Sequence, residues 1–354
     1  MKTIALSILA AATLHAADFT WSNPCTTGPD WIRDCFILRV DDTYYLTGTT
    51  RDGTGKPAKD KWPGFFLWKS TDLKDWKKLG PIITNEQVTW SDEFFWAPEI
   101  RYHPTRKKYY FTFNADSDPS PDKRSMGMGL AVADVVTGPY TLLTTEKPIT
   151  NNNDASLFFD DDGKDYLAQT GFNLAPICLD KLELTGPKLK ILQGGAPGAW
   201  DDAKAINEGS CLFKINGVYH YFWSSNAWGY FVGYATATSV DGPWTKNPAN
   251  PIWGAAKPEF RAKAGQPDNL PFNEVGHGTP FIGPDKRLWI AGHGHTIHGD
   301  APHPYNSPRL CIDPLQIDPE TGAISSRLSV NPQVMKLTAT VPKPSTLGSS
   351  VSYP

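Results

Sequence analysis

Asp34-Cys-Phe-Ile-Leu-Arg-Val-Asp-Asp-Thr-Tyr-Tyr-Leu46 contains an acidic residue, a short apolar strand, a turn and an aromatic-rich strand. The same order recurs four more times in this chain of 354 residues, led once by a histidine instead of an acid. The copies are spaced roughly 60 residues apart, which indicates one supersecondary unit used five times. The other four copies span residues 99–111, 154–167, 208–222 and 277–290.

A second hairpin follows the first in each unit, most clearly within residues 64–83, 127–149 and 229–252. Short apolar strands, turns rich in Gly, Pro, Asp and Asn, and the lack of a helical period are typical of all-β proteins. A β-sandwich shares these features, but only radial repetition of four-stranded sheets predicts five similar units. The sequence therefore predicts an all-β fold, a five-bladed β-propeller with four antiparallel strands per blade, as one catalytic domain over residues 18–337.

Both ends of the chain differ from the repeats. Residues 1–17 combine Lys2, an apolar run and a small-residue exit at Ala16 and Ala17, which is typical of a signal peptide. No later stretch is apolar for long enough to suggest a membrane-spanning helix. We therefore expect a secreted or periplasmic protein without membrane attachment, and a C-terminal tail over residues 338–354.

The charge pattern narrows the classes of partner. The formal net charge is −3 at pH 7 and no long basic or acidic run occurs, which argues against nucleic acid or an anionic membrane. Thirteen Trp, thirteen Tyr and seventeen Phe suit the packing of sugar rings, although β-core packing accounts for most of them. We expect a monomer that binds a neutral oligosaccharide or polysaccharide.

Five cysteines leave disulfide pairing open. Cys25 and Cys35 are close enough in sequence to pair across a short loop. Cys178, Cys211 and Cys311 lie in apolar strand patterns, where buried thiols are the usual outcome. No metal-ligand spacing joins the five, so we assign neither a disulfide nor a cysteine metal site.

The lead residues of the repeats are the candidates for chemistry. In a propeller the first strand of each blade starts at one face of a central channel, so Asp34, Asp154 and Glu208 are expected to meet there. Two carboxyl groups on opposite sides of a sugar cleave a glycosidic bond, and a third raises the pKa of the acid by repulsion. A single carboxylate at a strand start is more often a turn residue, but equivalent carboxylates in several repeats favour a site.

The motifs around these carboxylates resemble those of glycoside hydrolase family 43. They are Arg33-Asp-Cys-Phe-Ile37, Asn153-Asp-Ala-Ser-Leu-Phe158 and Asn207-Glu-Gly209. Cys35 and Ala155 stand where proline is common in the family. The resemblance covers nearly the whole chain after residue 17 and keeps the three motifs in the family's order.

This resemblance implies an inverting glycosidase built on a five-bladed propeller. Asp34 is then the general base, Asp154 the residue that modulates the pKa of the acid and orients it, and Glu208 the general acid. No cofactor is required. The implied substrates are α-L-arabinofuranosides or β-D-xylosides, with β-D-galactofuranosides and β-1,3-galactan also open, and exo action is favoured by long loops after several inner strands.

Four further residues are implied as substrate-binding. Trp96 and Glu99 belong to a Trp-Ala-Pro-Glu signature that resembles the family's second-blade motif, although a structural role for Glu99 is equally open. Arg309 resembles a family arginine that reaches toward the catalytic region, which implies either a contact to the substrate or one that orients the acid. His277 resembles a histidine at the channel centre, which implies an optional structural calcium bound through water; a hydrogen-bonded core histidine is the alternative.

Two functions other than hydrolysis are open for a chain of this pattern. A propeller that binds carbohydrate without catalysis is expected to lack one of the three carboxylates, and none is lacking here. A phosphorolytic enzyme needs Arg, Lys and His around inorganic phosphate, whereas most of the strand starts are acidic.

Overall fold

The computed structural model describes residues 18–25, 27–50, 64–84, 86–91, 95–117, 125–297, 307–337 and 350–351. These residues form β-strands and one 3₁₀ turn, Pro258–Phe260, and contain no α-helix. The all-β prediction is confirmed. The predicted signal peptide, residues 1–17, lies outside the described residues, as does most of the predicted tail. Within the described part of the chain, no helix could cross a membrane.

The strands form three separate antiparallel sheets, one large joined sheet and two short pairs. The chain starts with β1 (Asp18–Trp21). The first sheet contains β2 (Ile32–Val40), β3 (Thr43–Thr50), β4 (Phe65–Ser70) and β5 (Lys77–Ile83). The second contains β6 (Phe95–His103), β7 (Lys108–Asp116), β8 (Met126–Ala133) and β9 (Thr141–Leu142). The third contains β10 (Ser156–Phe159), β11 (Asp165–Gln169), β12 (Asn173–Cys178), β13 (Glu183–Leu184) and β14 (Leu189–Lys190).

The joined sheet holds the last two repeats. Its members are β15 (Asn207–Ile215), β16 (Val218–Ser225), β17 (Gly229–Ala237), β18 (Thr245–Lys246), β19 (Trp253–Ala256), β20 (Phe272–Ile282), β21 (Leu288–Thr296) and β22 (Pro308–Pro314). The remaining strands are β23 (Gln316–Ile317), β24 (Ile324–Ser325), β25 (Gln333–Lys336) and β26 (Ser350–Val351), of which β26 pairs parallel to β15.

The five repeated segments each form a hairpin of two adjacent antiparallel strands: β2–β3, β6–β7, β10–β11, β15–β16 and β20–β21. In the fourth hairpin the turn is Asn216-Gly217, and both residues have positive φ, of 50° and 80°. This is the two-residue hairpin turn that an Asn-Gly pair favours. The strands of this hairpin are buried along most of their length, because other strands cover both faces.

The first strands of the five hairpins contact one another in a closed cycle. β2 contacts β6, β6 contacts β10, β10 contacts β15, β15 contacts β20, and β20 returns to β2. A closed cycle brings residues that are far apart in sequence to one region of the molecule. The site described below lies there.

Each hairpin has one residue of positive φ in its first strand or just before it. A β-bulge interrupts the hairpin register near the start of β2, β6 and β15, and β20 contains two bulges, one at its start and one in its middle between Gly276 and Thr279. One residue of positive φ lies at the bulge of β2, β6 and β15 and at the second bulge of β20, and another precedes β10. These residues are Asp34 (49°), Ala97 (47°), Asp154 (50°), Gly209 (60°) and His277 (50°).

This backbone feature corrects the alignment of the repeats. The sequence pattern aligned Glu99 and Glu208 with Asp34, Asp154 and His277. In the structure the equivalent positions are Ala97 and Gly209, so Glu99 lies two residues after the equivalent point and Glu208 one residue before it. Glu208 therefore reaches the cluster from a different backbone position than Asp34 or Asp154 does.

The two ends of the described fold are tied together. β1 pairs antiparallel with β25, and the buried Asp313 in β22 accepts hydrogen bonds from Trp21 Nε1 (3.2 Å) and Asn23 Nδ2 (2.9 Å). It also accepts from Trp253 Nε1 (2.9 Å) and from Ser329 Oγ (2.6 Å). One carboxylate thus connects the N-terminal segment, the joined sheet and the C-terminal segment.

We expect Asp313→Ala to lower the free energy of unfolding by about 3 kcal/mol or more, because it leaves several buried donors unsatisfied at about 1–3 kcal/mol each. Urea unfolding of the purified protein measures this. Asp313→Asn, which keeps one acceptor, should cost less, and Asp241→Ala at an exposed site should cost little. Equal stability of the wild type and Asp313→Ala would contradict this role.

Candidate active site

Asp34 is held from three directions at the start of β2. Its Oδ2 accepts a hydrogen bond from Thr49 Oγ1 at 2.5 Å, and its Oδ1 lies 3.2 Å from His277 Nδ1. Its backbone N–H donates to His293 Nδ1 at 3.0 Å. Thr49 Oγ1 in turn accepts the backbone N–H of Ala97 at 2.8 Å, so the second unit helps to place a carboxylate of the first.

Glu208 has a hydrogen-bond donor on each carboxyl oxygen. Tyr230 Oη donates to Oε1 at 2.8 Å, and Asn153 Nδ2 donates to Oε2 at 3.2 Å. Trp96 Nε1 donates to Asn153 Oδ1, which fixes the orientation of that amide. Burial, and secondarily the nearby Asp154, raise the pKa of Glu208 to about 7.

Asp154 is the most buried of the three carboxyl groups. Its Oδ2 accepts the backbone N–H of Gly209 at 2.9 Å and the Thr170 hydroxyl at 3.3 Å. Burial and the charge of Asp34 nevertheless raise the pKa of Asp154 to about 7. Asp154 in turn raises the pKa of Glu208, so the negative charge of one carboxylate in this cluster disfavours ionisation of the next. Repulsion was the cause expected from the sequence, and burial is the larger cause in the structure.

A tyrosine and a histidine connect the two ends of this cluster. His277 Nδ1 lies 3.1 Å from Tyr230 Oη and 3.2 Å from Asp34 Oδ1. The single hydroxyl proton of Tyr230 is donated to Glu208, so the network assigns the Nδ1 proton to His277. Tyr230 thereby links Glu208, through His277, to Asp34.

Sequence reasoning missed Tyr230 and gave Asn153 no role. Tyr230 is the second residue of β17, is almost fully buried, and its burial raises the pKa of its hydroxyl well above the usual value. In the sequence it is one of many aromatic residues in buried strands, so nothing distinguishes it from the core. Asn153 precedes Asp154 in a motif that the sequence did single out, and this position was the available signal.

Arg33 and His293 complete the surroundings of Asp34. Burial disfavours the charge of Arg33, but Asp34, Tyr230 and Glu274 nearby raise its pKa on balance. Burial lowers the pKa of His293 well below its usual value, so this imidazole is neutral. Since His293 Nδ1 accepts the N–H of Asp34, its proton lies on Nε2, a buried atom that has no hydrogen-bond partner among the described residues.

The other predicted site residues lie in different surroundings. Glu99 forms a buried ion pair with Arg101 at 2.9 Å and accepts the Ser156 hydroxyl at 2.8 Å. Arg309 is buried in β22, where it pairs with Gly294 of β21. The structure therefore brings together Asp34, Asp154, Glu208, His277 and, through Asn153, Trp96. The substrate-binding roles predicted for Trp96, Glu99, His277 and Arg309 stay predictions.

Asp154, Glu208 and His277 are close enough together to hold a metal ion. Each offers one ligand atom, and these atoms lie within 4.8 Å of one another. Both Glu208 oxygens already accept hydrogen bonds, and His277 Nδ1 is a donor to its neighbours, which leaves Nε2 as the imidazole atom that could bind a cation. Protons on Asp154 and Glu208, whose pKa values are raised to about 7, compete with a cation near neutral pH, so no resident metal is assigned to these three residues. The predicted calcium bound to His277 through water stays a prediction.

Comparison with known proteins finds relatives that are named as glycosidases. The chain is 29% identical over 215 residues to the β-D-galactofuranosidase xynD of Aspergillus niger, covering 54% of this chain and 57% of that protein. It is 24% identical over 209 residues to a putative β-xylosidase of Xylanibacter ruminicola, covering 57% of this chain and 34% of that protein. The chain thus spans between a third and somewhat over half of the length of these two relatives.

A solved structure matches over nearly the whole fold. It is the crystal structure of a thermostable family-43 glycoside hydrolase, with a TM-score of 0.70 and 26% identity, covering 90% of this chain and 100% of that chain. The model of the family described as glycosyl hydrolases family 43 matches residues 22–321, which include every strand from β2 to β23 and all residues of the cluster. The chain therefore belongs to glycosyl hydrolase family 43.

Proposed function

We propose that this chain is an inverting glycoside hydrolase that releases terminal arabinofuranosyl, xylosyl or related galactose residues from plant-type polysaccharides or oligosaccharides. One observation carries the proposal. Asp34 and Glu208 lie in different sheets, and a chain of contacts through Tyr230 and His277 connects their carboxyl groups. Family membership supplies the reaction class. The surroundings of the two carboxyl groups suit Glu208 to act as an acid and Asp34 to act as a base.

In the proposed reaction Glu208 protonates the glycosidic oxygen, and the bond from that oxygen to the anomeric carbon breaks. Asp34 takes a proton from a water molecule on the opposite face of the sugar, and the water oxygen forms the new bond to the anomeric carbon with inversion. The pKa of Glu208, raised to about 7, provides the proton at neutral pH. Asp154 contributes to that pKa by its proximity. General acid and base assistance supplies about 10²- to 10⁴-fold each.

The fold and setting of the enzyme are part of this proposal. The closed cycle of contacts among the five first strands supports a five-bladed propeller, in which the joined sheet counts as two blades. We propose that the protein is secreted or periplasmic and acts as a monomer on neutral glycans.

The identity of the sugar follows from neither relative, because one is named for galactofuranose and the other for xylose. Nitrophenyl α-L-arabinofuranoside, β-D-xyloside and β-D-galactofuranoside, followed by arabinan, xylan and arabinogalactan, form the test panel. Proton NMR of the first product detects its anomeric form. Release of the inverted anomer supports the proposal. Release of the retained anomer, or no cleavage of any member, would overturn it.

A non-catalytic carbohydrate-binding propeller is the alternative, and the cluster does not favour it. Both proposed catalytic carboxyl groups are retained, and each is held by side chains from at least two elements. A binding surface has no need for a buried carboxyl group with a pKa near 7.

Glu208→Ala is expected to lower kcat/KM for natural linkages about 10²- to 10⁴-fold, because the leaving oxygen loses its proton donor. Nitrophenyl glycosides, whose leaving groups need little protonation, should be affected much less. Asp34→Ala should reduce both substrate classes to a similar extent, because water activation is common to both. Full activity of Glu208→Ala on natural linkages would refute the assignment.

The pH profile should lose activity on the alkaline side. The proton of Glu208 is lost as pH rises through about 7, so kcat/KM for natural linkages should fall about tenfold per pH unit above that point. Initial rates from pH 5 to 9 measure this. Dinitrophenyl glycosides serve as the control, since their alkaline decline should be weaker. A flat profile to pH 9 on natural linkages is the contrary result.

Asp154→Asn is expected to stabilise the protein while lowering its activity. The pKa of Asp154 is about 7 in the fold but about 3.9 in an unfolded chain, so the wild type loses stability as pH rises from about 4 to about 7. The neutral amide removes this loss. The Tm difference between variant and wild type should therefore grow from pH 4 to pH 8, whereas Asp75→Asn, at an exposed site, should show no such trend. A Tm difference that does not change with pH would contradict the buried protonated state.

A further inference from the structure

Arg101 carries a buried guanidinium group that the proposed reaction does not use. Its Nε and Nη2 atoms donate to Glu99 Oε2 at 3.1 and 2.9 Å, and Nη2 also donates to Ser156 Oγ at 3.0 Å. The Ser156 hydroxyl in turn donates to Glu99 Oε2 at 2.8 Å. All three residues are buried, so this triangle of hydrogen bonds is shielded from water.

Two phenylalanine rings pack against the same guanidinium. The Cζ atom of Arg101 lies 4.9 Å from the ring centroid of Phe36 and 4.8 Å from the ring centroid of Phe213. A guanidinium packs well on aromatic rings, because it is planar and more weakly hydrated than an ammonium group. The hydrogen bonds and the ring contacts together hold the group in one position and one orientation.

These contacts place the guanidinium inside the closed cycle of first strands. Arg101 and Glu99 belong to β6, and their partners Phe36, Ser156 and Phe213 belong to β2, β10 and β15. β2 and β15 are not neighbours in that cycle. A group that touches both of them, together with β6 and β10 between them, therefore lies at the centre of the cycle.

The guanidinium lies one layer below the catalytic cluster. Phe36 and Ser156 each follow a carboxylate of the cluster, Asp34 and Asp154, by two residues. Two residues of a β-strand rise about 7 Å. Arg101 therefore closes the centre of the cycle at most about 7 Å beneath the strand starts that carry the carboxyl groups.

We propose that Arg101 is a positioning residue for the hydrolysis proposed above, and that its guanidinium fixes the strand starts of Asp34, Asp154 and Glu208 relative to one another. The inference rests on the proposed function and deepens it. Asp34 and Glu208 lie in different sheets, and among the described strands no backbone ladder joins these two sheets. The distance between acid and base therefore depends on side chains that bridge the sheets, and Arg101 touches four of the five first strands.

Stability alone does not require a charged group at this place. Replacing a buried ion pair by neutral residues of similar volume is often neutral or stabilising. A planar fork that bonds to Glu99 and Ser156 and packs between two rings fixes distances and angles, which a flexible apolar side chain does not. The pair of Glu99 and Arg101 is thus better suited to hold geometry than to add stability.

The double variant Glu99→Gln/Arg101→Met tests this role, because it removes both charges together and leaves the side-chain volumes similar. We expect kcat to fall about 10²-fold, since a displacement of about 1 Å between the reacting groups costs this much, while KM changes less than about threefold. Both constants are measured on the panel substrate that the wild type cleaves fastest. A rise in KM at unchanged kcat would contradict the positioning role and favour the substrate-binding role predicted for Glu99.

Asp160→Asn/Lys214→Met is the matched control. Lys214 Nζ lies 3.0 Å from Asp160 Oδ1, so this largely buried pair also joins the third and fourth units, but at the opposite ends of β10 and β15. Its kcat and KM should equal those of the wild type, and thermal melts of all variants check folding. Wild-type kcat in the Glu99→Gln/Arg101→Met variant, or an equal loss of kcat in the control, overturns the positioning role.

Arg101→Lys provides the measurement if the double variant does not fold. Lysine keeps the positive charge but lacks the planar fork, so kcat should fall about tenfold at nearly unchanged KM. Wild-type kcat in this variant refutes the positioning role and leaves the hydrolase proposal standing. A wild type that cleaves no member of the panel overturns the hydrolase proposal and the positioning role with it.

Discussion

The constraint on which this site depends is the burial of three carboxyl groups in one cluster. Carboxylates removed from water cost several kcal/mol each unless they are hydrogen-bonded, paired or neutralised. Glu208 and Asp154 accept two hydrogen bonds each, and Asp34 contacts Thr49 and His277. Burial, with repulsion as the smaller cause, raises the pKa of Glu208 and Asp154 to about 7, so a proton can neutralise these groups near neutral pH. The cluster is thus stable in the protonation state that the proposed chemistry needs.

Backbone geometry makes the cluster possible. Non-glycine residues with positive φ are uncommon and cost of order 1–3 kcal/mol each, yet Asp34, Ala97, Asp154 and His277 all have φ near 50°. For Asp34, Ala97 and His277 the strain coincides with a bulge, which re-aims a side chain and frees a backbone N–H. The hairpins that contain these residues are well placed to hold this strain, because their strands are largely buried. Strain at corresponding points of four units favours a functional role for these positions.

The sequence predicted the units well and their alignment less well. The alternation of apolar strands and turns is set by local residue types, so the five hairpins and the all-β class could be inferred from it. Whether Glu208 or Gly209 occupies the equivalent position depends on a bulge of one residue, which the strand pattern does not encode. Tyr230 could not be identified either, because an aromatic residue in a buried strand has the same sequence signal whether it packs or donates to a carboxylate. Charge and spacing identified the carboxylates, and tertiary contacts determined their partners.

The five equivalent positions have similar φ angles, between 47° and 60°, but their residues contribute different groups to the cluster. Asp34, Asp154 and His277 contribute side chains to the cluster, whereas Ala97 and Gly209 contribute backbone N–H groups. Glycine also suits position 209, because φ there is 60° and a Cβ would make a tight contact of 3.3 Å with the His277 ring. Ala97 donates to Thr49 of the preceding unit, and Gly209 donates to Asp154 of the preceding unit. Repetition therefore supplies a ring of similar strand starts, and the small residues at two of them let neighbouring units hold the carboxylates of the others. Acidic side chains at all five positions would add buried charge without lowering the cost of desolvation. The site therefore depends on the small residues Ala97 and Gly209 at two of the positions as much as on the repeated backbone.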